Sequence, residues 1–274
     1  MLTRPSKSFR SNRPFASVAG SAILALALCG CQTTVPSDIT GSLGDTAEKS
    51  QAVVSRRDLD LYRERFRANP DDTDAALQYG KALRSTGQRS QAVAVLEQAT
   101  IAHPGNKALL AGYGRALADN GNFQQAFDVL SQAHSPEDPD WRILSAQGAA
   151  LDQLGRYEEA RQYYASALRI APDEPTVLSN LGLSYVLSKD LPKAEETLRR
   201  AHEHAESDPR VRVNLAVVVG LQGRMSEAET LMKAGLPVEQ AQANLAELKR
   251  LLSRTARAQR GGEKLPVASR IATD

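Results

Sequence analysis

Small, large apolar and turn-forming residues return along this chain in rows spaced 34 residues apart. Ala92, Ala126, Ala160, Ala194 and Ala228 form one row without a gap. Gly80, Gly114, Gly148 and Gly182 form a second, with Ala216 in the fifth place, and Ala99, Ala133, Ala167, Ala201 and Gly235 a third. Leu96, Leu130, Tyr164, Leu198 and Met232 form a fourth, and Gly87, Gly121, Gly155 and Gly223 a fifth that Lys189 interrupts. Rows of this length report one structural unit repeated in tandem. The small residue early in each unit and the two alanines late in it let antiparallel helices approach closely, and the large residue between the alanines fills the groove they leave. The glycine seven places after the first small residue marks a helix end, because it takes the left-handed backbone at little steric cost. Pro70, Pro104 and Pro172 close helices in turn, since proline lacks the donor that a continuing helix needs. The pattern predicts an all-α fold of five helix-turn-helix units at residues 73–106, 107–140, 141–174, 175–208 and 209–242.

Helices flank the units on both sides. Gln51 to Ala68 carries Val54, Leu61, Tyr62 and Phe66 at helical spacing and stops before Pro70, which predicts a docking helix within 51–72. Downstream, Val238 to Leu252 carries Leu245, Leu248, Leu251 and Leu252, a capping helix over the apolar face of the last unit, closing at residues 243–252. From Ser253 onward Arg254, Arg257, Arg260, Lys264 and Arg270 accompany Gly261 and Gly262, which predicts a disordered basic tail over 253–274.

The first thirty residues follow a different logic. A basic stretch through Arg13 precedes the apolar run Phe15 to Leu28, in the order of a secretory signal peptide. The run is shorter than the roughly 20 residues that a bilayer span needs. Leu28-Cys29-Gly30-Cys31 resembles the lipobox of bacterial lipoproteins, with a leucine three places before the cysteine and a small residue just before it. The resemblance implies that Cys31 becomes an acylated first residue. Cys29 fits poorly, because bulky Leu28 would stand next to the cut. An uncleaved anchor and an ordinary signal cut nearby are the alternatives. Gln32 stands where an aspartate commonly signals retention at the inner membrane, so the expectation is the periplasmic face of the outer membrane. Residues 31–50 are polar and rich in turn formers, a tether with a reach on the order of 20 to 25 Å.

Charge and composition narrow the function. The formal charge of +2 includes Arg4, Lys7, Arg10 and Arg13, with no acid before Cys31, so the remainder is near neutral and slightly acidic. Such a body gives no electrostatic reason to bind nucleic acid, and an aromatic content of 5% is thin for base stacking. With Cys31 acylated and Cys29 removed, no thiol is left for a disulfide or a cysteine metal site. The chemistry of an enzyme is also hard to assemble. His202 and His204 are two apart on a helix and point to different faces. His103 and His134 fall near helix C-termini, where the helix dipole favours them. Glu158-Glu159 and Glu195-Glu196 are adjacent pairs on solvent-facing helices, and neither a phosphate-binding glycine loop nor a nucleophile elbow occurs. No catalytic residue, cofactor or metal is expected.

The spacing and residue types resemble the tetratricopeptide repeat. The third and fourth units match best, through Gly148, Gly155, Tyr157, Ala160, Pro172 and then Leu181, Gly182, Tyr185, Ala194 and Leu198. The resemblance implies a right-handed solenoid whose first helices line a concave groove that binds protein partners. In the family the groove contacts come mainly from the second, fifth, ninth, twelfth and thirteenth places of each unit. Those places hold Asp74, Leu77, Lys81, Arg84 and Ser85, then Arg115 and Asp119, then Arg142, Ser145, Asp152 and Gln153. Later they hold Thr176, Ser179, Leu183, Val186 and Leu187, then Arg210, Val213, Val217 and Leu221. The groove is expected to be polar and basic at Lys81, Arg84, Arg115 and Arg142, and apolar at Leu183, Val186, Leu187, Val213 and Val217. Either a partner segment lies along it, or the C-terminal helix fills its apolar half. The ninth places lack the asparagine of the chaperone-binding carboxylate clamp, and Asn180 and Asn214 stand at the sixth place, where asparagine supports the contact between repeats.

Taken whole, the lipobox, the tether, the tandem repeats and the segment Leu236 to Leu245 resemble the TadD lipoproteins of tight-adherence (Flp) pilus systems, helped by the runs Pro175 to Tyr185 and Val211 to Gly223. That resemblance implies a non-enzymatic factor of the outer membrane that assists assembly or positioning of the pilus secretin. A scaffold for outer-membrane protein insertion or cell-wall synthase activation is the main alternative, and an unrecognised enzyme a remote one.

Overall fold

The computed structural model describes residues 56–135 and 137–261, all within one compact unit. The signal peptide, Cys31, the tether, residues 51–55 of the docking segment and residues 262–274 of the tail lie outside the described residues. Twelve helices follow one another, and among the described residues the only bridge of β type joins Ser135 and Asp138. They are α1 Arg56–Ala68, α2 Thr73–Ser85, α3 Arg89–Ala102, α4 Lys107–Asp119, α5 Phe123–Gln132 and α6 Trp141–Gln153. Then come α7 Tyr157–Ile170, α8 Pro175–Leu187, α9 Leu191–His204, α10 Pro209–Leu221, α11 Met225–Gly235 and α12 Val238–Gly261.

The first helices of the units (α2, α4, α6, α8, α10) start 34 residues apart, and so do the second helices (α3, α5, α7, α9, α11). Caps explain the regularity. Asp72, Asn106, Asp140, Glu174 and Asp208 stand just before the first helices, and each side chain accepts a hydrogen bond from a backbone N–H of the first turn. Such a cap contributes about 1 kcal/mol. This sixth row, also spaced by 34, is visible in the sequence. Inside each unit the turn passes through the left-handed region, at Gly87, Gly121, Gly155 and Gly223 and, with φ of 65°, at Lys189.

Glycine and its large partner explain the packing of each hairpin. A Cβ built on Gly80 would lie 2.7 Å from Leu96, on Gly114 2.6 Å from Leu130, on Gly148 2.7 Å from Tyr164 and on Gly182 2.6 Å from Leu198. The large side chain of the second helix therefore lies directly on the backbone of the first. In the fifth unit Ala216 replaces glycine, and the unbranched Met232, buried in the same apolar cluster, stands in for leucine. The alanine row from Ala92 to Ala228 is fully buried, at 0% exposure in every unit.

Successive first helices touch one another across the seams between units, whereas the second helices pack mainly on the first helices beside them and meet one another through side chains such as Phe127 with Tyr163 and Arg199 with Glu227. A stack so joined bends with its first helices on the inside. At one end α1 packs on α2, with Leu59 buried and Phe66 at 5.8 Å from the ring of Tyr79. At the other end α12 docks on α10 and α11, burying Ala241, Leu245 and Leu248. The helix does not end at Leu252 but continues to Gly261, so the expected disordered tail is helical in its first part. Arg, Ala and Gln between Ser253 and Gly261 are strong helix formers with no breaker among them, and that propensity extends the helix.

Candidate partner-binding groove

The inner face is built from the exposed sides of α2, α4, α6, α8 and α10, and its residues divide into three groups. Lys81 is exposed, and Leu183, Val186, Leu187 and Val217 are half-buried. Arg142 is half-buried, with its guanidinium 4.4 Å from the centre of the Trp141 ring and 4.0 Å from Asp140. Arg115 is half-buried on α4. These residues present surface to a partner.

Two expected contacts do not. Arg84 keeps only 8% of its side chain exposed, and its Nε donates to Asp119 Oδ2 at 2.6 Å across the seam between the first two units. It holds units together. Val213 is 8% exposed and belongs to the core, on α10, which packs against α8 and α12.

Contact between neighbouring first helices also removes Ser145, Asp152 and Ser179 from the groove. Asn180 Nδ2 donates to Ser145 Oγ at 3.1 Å, and one unit later Asn214 Nδ2 donates to Ser179 Oγ at 2.9 Å. Both bonds, like Arg84 to Asp119, join residues 35 apart, which is one unit plus one place. Asn180 and Asn214 thus tie repeats together, as the resemblance implied. Asp152 accepts from Ser184 Oγ at 2.7 Å and from Tyr164 OH at 2.8 Å, so one carboxylate links α6, α7 and α8. Burial pushes its pKa up to about 6, against the pull of Ser184, Tyr164 and Arg161. A shifted carboxyl can mark a catalytic site, but here both oxygens are engaged inside a closed seam, which assigns it to structure. This seam is not apparent from the repeat places, and its one signal in the sequence is Ser184 standing 32 residues after Asp152.

Near the start of the groove α2 and α4 enclose a hollow of about 120 Å³, lined by Leu77, Lys81, Arg84, Leu96, Ala108, Gly112 and Arg115. At the far end α12 touches α10 and α11 but not α8. It takes the position of a further first helix and leaves the inner face of α8 uncovered by α12. Val217 and Leu221 share an apolar cluster with Leu245, Leu248 and Leu252.

Among the described residues no group of three or more His, Cys, Asp or Glu is placed to hold a metal, and no helix is long and apolar enough to cross a membrane. His204 Nε2 lies 3.7 Å from Asp173, and His134 Nε2 lies 3.0 Å from Gln147 Oε1, each a contact between a helix and an interhelical turn.

Comparison with known proteins agrees with this geometry. A family model described as a tetratricopeptide repeat matches residues 142–207, and a second of the same description matches 83–148 and 185–252. Together they span residues 83–252, more than half of the chain. No curated protein matches the sequence. Among solved structures, PilW, a widely conserved type IV pilus biogenesis factor, is 17% identical, with 69% of this chain and 91% of that one covered at a TM-score of 0.59. A thermophilic TPR protein of Thermus thermophilus is 22% identical over 64% of this chain and 97% of that one, with a TM-score of 0.58. The Cut9–Hcn1 hetero-tetramer of the APC/C is 18% identical at a TM-score of 0.56 over 65% of this chain, which spans only 36% of that longer one. At these identities the likeness is one of fold. From the caps, the glycine and leucine pairs, the stacked hairpins and the family models, the chain belongs to the tetratricopeptide repeat family.

Proposed function

We propose that this chain is a non-enzymatic scaffold, anchored through a lipid on Cys31 to the periplasmic face of the outer membrane, and that it assists assembly or positioning of a tight-adherence (Flp) pilus secretin. A tetratricopeptide repeat stack is a scaffold for protein–protein interaction, and the finer reading adds where it stands and what it holds. One observation carries the binding role. The first helices touch along the inside of the bend and leave half-buried apolar side chains, Leu183, Leu187 and Val217, beside cationic ones on a single face. A protein segment laid along that face would bury both kinds at once. The lipobox-like run ending at Cys31 supports the anchor, and the likeness to TadD lipoproteins supports the pilus. PilW shows that this fold serves in pilus biogenesis elsewhere, and at 17% identity it carries nothing more specific.

Affinity purification of the full chain from solubilised envelopes, followed by mass spectrometry, tests the reading. A secretin should co-purify, and the Cys31→Ser chain should leave the outer-membrane fraction. Recovery of an outer-membrane insertion or cell-wall synthase complex in its place would transfer the scaffold to that machine.

A further inference from the structure

We infer that the stack bends at the seam between its second and third units, with α1–α5 as one stiff arm and α6–α12 as the other, so that the inner face changes curvature there. This goes beyond the scaffold reading and does not depend on which partner is held.

Three observations single out this seam. First, each of the other three seams between successive units carries a polar tie between first helices. Arg84 bonds to Asp119 between α2 and α4, Asn180 to Ser145 and Ser184 to Asp152 between α6 and α8, and Asn214 to Ser179 between α8 and α10. The equivalent places of α4 and α6 hold Ala111, Ala118, Ala146 and Ala150, and an alanine side chain neither donates nor accepts. These two helices also touch less than the other pairs of successive first helices.

Second, the covalent link is longest here. The helix α5 has 10 residues where α3, α7 and α9 each have 14. The linker to α6 therefore runs over 133–140, against 103–106, 171–174 and 205–208 at the other seams. A longer connection lets its own backbone angles absorb a turn of α6 against α5. Its bridge between Ser135 and Asp138 ties the linker to itself. Lys107 Nζ reaches Asp138 at 3.7 Å, but both side chains are exposed and such a pair holds little.

Third, a polar contact stands inside this seam. Gln147 is 1% exposed at the place that Tyr79, Tyr113, Leu181 and Leu215 take in the other units. Its Nε2 donates to Ser131 Oγ at 2.9 Å, and its Oε1 meets His134 Nε2 at 3.0 Å. Ser131 is exposed and His134 half-buried, so water can replace either partner as the seam opens. On the outer side Phe127 meets Tyr163 edge-on at 5.6 Å, an apolar contact that keeps the arms joined while the inner side moves.

Pulsed electron spin resonance on the full chain, with nitroxides carried by a genetically encoded keto amino acid, reads the bend. Asp74, Arg142 and Arg210 stand at the second place of the first, third and fifth units. The pair at 74 and 142 spans the seam, and the pair at 142 and 210 does not. The first distance distribution should be roughly twofold broader than the second, as a hinge requires. Ala111→Ser/Ala146→Asn copies the spacing of Ser145 and Asn180 and should narrow the first distribution toward the second. Ser145→Ala/Asn180→Ala adds no bulk to the core and should broaden the second, which keeps the test independent of how the first variant packs. Distributions of equal width for the two pairs in the native chain would overturn the inference. So would a second distribution left unchanged by Ser145→Ala/Asn180→Ala.

Discussion

A methyl group at Gly148 would lie 2.7 Å from Tyr164 Cε1, and Tyr164 is fully buried with its hydroxyl bonded to Asp152. The ring has nowhere to move. Gly148→Ala should therefore lose on the order of 1–2 kcal/mol despite the better helix propensity of alanine, read as a lower denaturant midpoint. Lys189 gives the opposite expectation. It holds φ of 65° in a row where the other four members are glycines. Lys189→Gly removes a left-handed strain of about 1 kcal/mol and should raise stability by several tenths of that after the entropy of the unfolded chain is counted. A drop in the midpoint would show that the Lys189 side chain contributes more than its backbone costs.

Asp152 sets a pH dependence whose sign is fixed by its surroundings. Its pKa rises from 3.8 to about 6 because burial disfavours the charged carboxylate. Between these values the folded chain holds a proton that the unfolded chain has released. Stability from this group is therefore highest below pH ~4, falls as pH rises to ~6 and is level above, by roughly 3 kcal/mol in all. Asp152→Asn should flatten that part of a stability–pH profile. An unchanged slope would place its origin elsewhere. None of this closure was legible from the twelfth place of the unit alone. In the family that place faces the groove, and only Tyr164 and Ser184, contributed by two other helices, turn it inward.

At the scale of elements, the starts of helices were legible because caps, Pro175 and Pro209 fix them locally. The end of α12 was not. Its Arg- and Ala-rich stretch after Leu252 reads equally as a solvated tail or as a helix, and nothing local breaks it before Gly261. The cap itself makes a sharp prediction. Leu245 and Leu248 are 5% and 3% exposed, and a Cβ on Gly220 would lie 2.5 Å from Leu248. Each buried leucine contributes about 1.5–3 kcal/mol. A chain stopped after Leu236 should lose several kcal/mol and unfold from its C-terminal units, whereas one stopped after Leu252 should stay close to the full chain in thermal melting. Equal melting of both would remove α12 from the account of stability.

At the scale of the molecule, the seams differ in kind while the hairpins do not. An ion pair joins the first two units, and amide and carboxylate hydrogen bonds join the third to the fourth and the fourth to the fifth. The second helices add a network in which Glu195 meets Arg224 and Arg199, holding its carboxyl down to about 2. Repeat stacks are stabilised chiefly by such nearest-neighbour contacts. The candidate site was legible as a face, through the order of cationic and apolar places. It was not legible in detail, because whether Arg84 or Val213 meets a partner or the next helix depends on the seam. The most direct measurement is photo-crosslinking in cells from single positions on the two sides of the stack, with adducts identified by mass spectrometry. A probe at Leu183 or Leu187 on the inner face should capture one protein, and a probe at exposed Glu196 on α9 should not. Capture from Glu196 with none from Leu183 or Leu187 would contradict the assignment of partner binding to the first helices.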